Sequence, residues 1–152
     1  MNSALQRARQ TLGRRDGQLS QQAVLRSLGE EGRRELVDAF VAAWADADVD
    51  ALIGLLAEDA RFTMPPLPAW FRGRTDIRRF ATERLFATPW RLLPIGANGQ
   101  LAFACYQQAE PGAPFRLSAV NVLTVRGAEI EEISGFIDPD VLPHFHLPAE
   151  LS

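Results

Sequence analysis

Residues 90–107 read WRLLPIGANGQLAFACYQ. Two apolar-rich runs, Trp90 to Ile95 and Leu101 to Gln107, flank the dipeptide Asn98-Gly99. Asn-Gly suits the two positive-φ positions of a tight hairpin turn, whose twist matches that of paired strands. The stretch therefore predicts an antiparallel hairpin. Further strands follow it. Pro111-Gly112 introduces a run in which Phe115, Leu117, Ala119, Asn121, Leu123 and Val125 share one face, with Val120 and Val122 on the other. Arg126-Gly127 turns the chain into a last strand, Glu129 to Ile137. There the pair Glu131-Glu132 breaks the alternation ahead of Ile133, which predicts a bulge. Asp138-Pro139 ends that strand, and Val141 to Leu147 is expected as a short turn or helix against the sheet.

Upstream of the hairpin the period changes. Leu36, Val37, Phe40, Val41 and Trp44 form one apolar stripe in a helix from Glu30 to Ala47. Asp48 is placed to N-cap a second helix, with Asp50 in its first turn and Val49, Leu52, Ile53 and Leu56 on its buried face. Arg61 to Met64 is a short strand, and Pro65-Pro66-Leu67-Pro68 is expected to hold extended backbone ahead of Trp70 and Phe71. Gly73 and Thr75 mark a turn and an N-cap for a third helix, Asp76 to Phe86. At the N-terminus, Asn2 to Leu12 reads as a helix stopped by Gly13, and Arg14 to Ser27 reads as a polar linker. Helices followed by hairpins define an α+β fold. We expect three helices on a strongly curved antiparallel sheet, preceded by an N-terminal helix and linker. Such a sheet forms a cone, and a cone closed at one end leaves a pocket.

The chain has 152 residues, 47% of them apolar, which suits one domain and excludes a mainly disordered chain. A single cysteine excludes a disulfide scaffold. Neither a signal-like N-terminus nor an apolar run of about 20 residues is present, so a cytoplasmic address is expected. All 16 basic residues are arginine. Residues 1–34 carry seven arginines against three acids, a net +4, and the remainder carries a net −7. A basic arm on an acidic globule suits a polyanion at the arm, while the globule itself is a poor nucleic-acid binder.

The order helix, helix, short strand, Arg-Gly turn, helix and hairpins resembles the nuclear transport factor 2-like superfamily over residues 31–147. Within it the SnoaL-like branch is the nearest match, through Trp44, Asp48, Leu52, Leu56, Phe71-Arg72-Gly73-Arg74 and Gly127 to Ile133. A narrower resemblance joins this domain to the C-terminal part of certain extracytoplasmic-function (ECF) sigma factors. It rests on Met64 to Arg74, on Leu93-Pro94 with Ala97 to Gln100 and Ala102-Phe103, and on Phe136-Ile137-Asp138-Pro139 with Phe145 and Leu147-Pro148. Asn2 to Arg9 resembles the end of the recognition helix of sigma region four. The resemblance implies residues 1–13 as the end of region four, with Arg7 and Arg9 on the DNA side, residues 14–29 as a linker, and 30–152 as a SnoaL-like domain. The rest of region four and all of region two would precede Met1, so unaided promoter recognition is not expected. The partners implied are the RNA polymerase core and sigma regions two and four of the full-length parent. A homodimer is a further expectation of the superfamily.

Some relatives in the superfamily, ketosteroid isomerase among them, move a proton with a carboxylate inside the cone. Met64 to Trp70, where such an acid would follow the first strand, contains none. Asp138 is the remaining catalytic candidate, and its competing role is to cap the C-terminal turn. The candidates for a pocket holding a small apolar ligand are Trp70, Phe71, Arg72, Trp90, Phe103, Tyr106 and Asn121, with Arg74 beside Arg72 as a second cation for a carboxylate. Cys105 is expected buried and inert. His144 and His146 alone make a weak metal signal, so neither a metal nor a cofactor is expected. The sequence thus points to a regulatory or ligand-sensing domain of an ECF sigma factor, against the alternative of a SnoaL-like isomerase, cyclase or hydrolase acting on a small apolar molecule.

Overall fold

A computed structural model describes residues 4–67, 70–97 and 99–151; for 4–20, 96 and 97 it describes the backbone alone. Helix α1 (Ala4–Ala45) is broken at Gly29, whose φ of 76° and ψ of 169° lie outside the helical region. A Cβ there would meet nothing within 4 Å. The glycine is therefore needed for its backbone angles and not for space. Residues 14–28, where the sequence suggested a linker, are helical, and the chain does not stop at Gly13. Ser, Gln and Arg are tolerated on a helix that packs only one side, and composition alone does not reveal that a partner surface exists. The side chains of Arg7 and Arg9 lie outside the described residues, as do Asn98, Pro68 and Ala69.

Helix α2 (Val49–Gly54) is capped as expected: the Ala51 N–H donates to Asp48 Oδ1 at 3.0 Å. It ends early, and Leu56, expected on its buried face, instead opens strand β1 (Leu56–Thr63). The Pro-rich segment turns instead of extending. The Pro65–Pro66 bond is cis, and the Leu67 N–H donates to Met64 O at 2.8 Å. Strand β2 (Trp70–Arg72) folds back on β1, and α3 (Arg74–Glu83) starts at Gly73 without a side-chain cap, two residues earlier than expected. A short 3₁₀ turn (Leu85–Ala87) leads into β3 (Trp90–Ala97), β4 (Gln100–Gln108), β5 (Phe115–Arg126) and β6 (Glu129–Phe136). The hairpin stands as expected, with Ala97 opposite Gln100 and Gly99 at φ 80°. So does the bulge. Thr124 pairs with Glu132 and Val125 with Ile130, leaving Glu131 as the extra residue.

The sheet order is β2-β1-β6-β5-β4-β3. It is mixed, because β1 runs parallel to β6, with Phe62 opposite Ile133. This corrects the expectation of a purely antiparallel sheet. Turn signals report only pairings between neighbours in sequence, and β1 meets β6 across some 70 residues. One face of the sheet closes over α1 and α3, burying Phe40, Trp44, Phe62, Ile77, Phe103 and Leu123. The other face is covered too. Ala104, Tyr106 and Val120 have no exposed surface, and the Tyr106 hydroxyl donates to Pro148 O at 2.8 Å. Past Tyr106 and Leu142, the chain ends in β7 (Glu150–Leu151), paired with the start of β5.

The arm preceding Gly29 is bonded into this body. Beyond the pair Leu101–Leu123, β4 no longer accompanies β5. There the buried Gln21 amide takes over the ladder, accepting from the Val125 N–H and donating to Val125 O, both at 2.8 Å. Replacing Gln21 with alanine leaves both Val125 groups unpaired. We expect Gln21→Ala to lower the unfolding free energy by about 2 kcal/mol, read as a shifted urea midpoint at unchanged slope.

Candidate functional site

The cone holds a mainly apolar chamber of about 210 Å³ that opens to the surface. Helix α1 supplies Trp44, α3 supplies Phe80, and the sheet supplies Phe62, Trp90, Cys105 and Asn121. Trp44 meets Trp90 edge-on at 5.3 Å and 85°, and Phe86 at 5.4 Å and 78°, while Phe62 meets Phe80 at 5.5 Å and 80°. T-shaped contacts satisfy the ring quadrupoles. The larger groove, about 720 Å³ between the α1 kink and the β3–β4 hairpin, is a different feature, walled partly by exposed Gln22, Arg26 and Glu30.

Polar groups in the chamber are few and specific. The Trp90 indole donates to Leu85 O at 2.7 Å. Gln107 donates to Thr88 Oγ1 at 2.6 Å. The Trp44 indole N–H and the Asn121 amide Nδ2, both on residues 2% exposed, have no acceptor. Among the described residues the ionisable side chains on the wall are Cys105 and the exposed Arg84. No Asp or Glu among the described residues lines it. Burial pushes the Cys105 thiol well above its ordinary value, so the group is neutral at physiological pH.

The sequence candidates are dispersed over several environments. Trp90 and Asn121 line the chamber. Phe103 is fully buried against Phe40, ring centroids 4.8 Å apart, and borders the larger groove. Phe71 stacks on Phe80 at 4.3 Å outside the chamber. Trp70 is 53% exposed, and Arg72 is exposed on the same short strand. Arg74 donates twice to Leu56 O, at 3.0 and 2.7 Å, closing the start of β1. Tyr106 lies among the buried residues of the other face, bonded to Pro148. Asp138 Oδ1 accepts from the Asp140 N–H at 2.9 Å and its carbonyl accepts from Val141 and Leu142, so it is engaged in a local turn; the 3₁₀ turn that follows (Leu142–Phe145) starts from Val141 without a side-chain cap. His144 and His146 are exposed. Among the described residues no group of three or more His, Cys, Asp or Glu could hold a metal ion, and no helix is long and apolar enough to cross a membrane. The sequence reading passed over Trp44 as a chamber residue. Its stripe position marks it as core, and nothing in the sequence tells a satisfied indole from an unsatisfied one.

Residues 37–133 match the SnoaL-like domain family, and the chain belongs to it. Solved structures share the fold. An NTF-2 like protein of unknown function from Burkholderia xenovorans superposes with a TM-score of 0.61 at 16% identity, over 73% of this chain and 86% of that one. A candidate ketosteroid isomerase from Kribbella flavida superposes with a TM-score of 0.58 at 22% identity, over 71% and 78%. The fold is thus the nuclear transport factor 2-like, ketosteroid isomerase-like one. In sequence, the chain is 31% identical over 155 aligned residues to the ECF RNA polymerase sigma factor SigG of Mycobacterium tuberculosis. That alignment takes in 99% of this chain and 40% of the curated relative, equally in two strains.

Two outcomes follow. Cys105 should not react with a thiol reagent at pH 8 in the folded protein and should react fully once unfolded in guanidinium. On the surface, the Arg126 side chain bonded to Asp59 at 2.7 Å, then the backbone and the Arg126 charge, hold the Asp59 carboxyl below the ordinary range. A depressed folded pKa gives stability that is complete above about pH 4 and fades as pH falls through the folded value. Asp59→Asn should therefore be less stable than wild type at pH 7, with the difference narrowing as pH falls below the ordinary carboxylate range in acid-unfolding curves.

Proposed function

We propose that the chain is the C-terminal regulatory module of an ECF sigma factor, which adjusts transcription initiation in response to a small ligand held in the cone. The observation that carries this is the span of the sigma-factor similarity. It runs through the arm as well as the cone, over 99% of the chain. A solitary enzyme domain of the same fold would require only the cone.

The chemistry supports binding over proton transfer. A cone isomerase uses a carboxylate at the reacting carbon. The chamber has no acid on its wall among the described residues, and Asp138 is engaged in a turn. The mechanics support regulation. Asn121 on the chamber wall and Val125 under the Gln21 clamp lie on the same strand, β5. Four residues of strand separate them, roughly 13 Å. A ligand that shifts Asn121 thereby acts on the strand that holds the arm, and the arm carries Arg7 and Arg9 on the DNA side of this reading. Residues 1–13 then continue region four, the rest of the arm is a rigid connection, and the partners are RNA polymerase core and sigma regions two and four, in the cytoplasm of a bacterium. The required coupling is modest, about 1–3 kcal/mol, or roughly 5–150-fold.

The test is reconstituted transcription with RNA polymerase core and the full-length sigma factor, with and without residues 35–152. Removal should change transcript yield at least about fivefold, and Asp138→Asn should leave it unaltered. Equal yields with and without the module, at every sigma concentration, would overturn the reading.

A further inference from the structure

The half of α1 before Gly29 is held to the cone by few groups. Among the described residues its buried anchors are Gln21 and Leu25, 5% and 7% exposed. Val24 and Leu28 are partly buried beside them, and Gln22, Ala23, Arg26 and Ser27 face solvent. The anchors form one stripe at helical spacing. The half after Gly29 is different, because Leu36, Phe40, Ala43 and Trp44 are all buried in the core. The first half also has little means of standing alone. Gly13 and Gly17 lie inside its helical span, and both weaken a helix that has no partner surface.

The two halves meet at a joint that only glycine adopts without strain, with φ 76° and ψ 169° at Gly29. A Cβ there would meet nothing within 4 Å, so no neighbouring group crowds the joint. The fastening on the other side is a single side chain. Val125 lies beyond Leu101–Leu123, the last pair between β4 and β5. Its N–H and C=O are both taken by the Gln21 amide at 2.8 Å. A residue inside the longest strand of the sheet therefore depends on the arm for two hydrogen bonds, and no β4 residue is paired there to replace it.

We infer that the arm is a hinged strap with two states. In the clasped state Gln21 holds Val125 and the arm is rigid. In the released state the arm has swung about Gly29, residues 21–28 are frayed, and the cone is intact. This adds a means of regulation to the function proposed above. There the arm carries region four, so the clasp decides whether region four keeps one position relative to the cone. That consequence rests on the sigma-factor reading, whereas the two states are properties of this chain alone.

Native-state hydrogen exchange on the 152-residue chain tests the inference, with amides followed by NMR at guanidinium concentrations below the unfolding transition. Amides of residues 22–28 should exchange through an opening at least about tenfold more frequent than the one that exposes Phe103 and Asn121. It should depend only weakly on denaturant, because it uncovers little surface. The Val125 amide is the telling signal. It should exchange with the arm and not with Asn121, although both residues lie on β5. Gln21→Ala should raise the opening constant of the arm about thirtyfold. Gly29→Ala should raise it at least about fivefold, since alanine is strained only at the clasped angles. Ile77→Val, in the core on α3, should speed Phe103 and Asn121 about fivefold while the arm and Val125 stay within about twofold of wild type. The comparison within wild type stands without any variant. One common opening for arm and core, a Val125 amide that follows Asn121, or arm amides exchanging at free-peptide rates in wild type would overturn the inference. Transcription separates it from the proposed function. A strap that opens, in a module whose removal leaves transcription unchanged, refutes that function and keeps the strap. An arm that opens only with the core, in a module that alters transcription, refutes the strap alone.

Discussion

Trp44 brings a large indole under the sheet and finds no protein acceptor for its N–H. The architecture around it follows from how that ring is held. Phe40 lies one turn earlier on α1 at 5.9 Å, and Phe86 and Trp90 present edges to it. Leaving a buried donor unpaired costs about 1–3 kcal/mol, and interiors otherwise pack to crystal-like density. A core that keeps both a hollow and two unpaired donors is less stable than the same sheet and helices could be. Structures concentrate that kind of local disadvantage at working sites.

The same sheet gives the arm its place. Where β4 leaves β5, the Gln21 side chain completes the ladder at Val125 with one donor and one acceptor, as a strand residue would. Just below it the hairpin tip approaches so closely that a Cβ at Gly99 would lie 2.6 Å from Gln22 Cγ. The break at Gly29 lets the two halves of α1 take different directions, one lying by the hairpin and one buried in the cone. The arm and the chamber wall are thus parts of one hydrogen-bonded layer.

Polar residues divide by what they touch. Asp138 and Arg74, both plausible site residues from their positions beside turns, are occupied by backbone groups. Tyr106 and Cys105 are adjacent on β4, yet they face opposite sides of the sheet. One meets the C-terminal segment and the other meets the chamber. Alternation along a strand is legible, but which face holds the hollow depends on what each face packs against. That is why Tyr106 looked as good a candidate as Asn121.

The amino-acid sequence by itself determined the Asp48-capped second helix, the third helix, the four long strands, the Asn-Gly hairpin, the Glu131 bulge and the absence of an acid from residues 64–70, because each depends on chemistry within a few residues. It also placed Trp90 and Asn121 among the pocket candidates. Only the tertiary structure decided that β1 runs parallel to β6, that residues 14–28 are helical with Gln21 and Leu25 buried, and that Trp44 and Asn121 both line the chamber and both carry an unpaired donor. Those outcomes depend on groups far apart in the chain meeting, or failing to meet, in space, and no local pattern of residues encodes whether a hydrogen bond finds its acceptor.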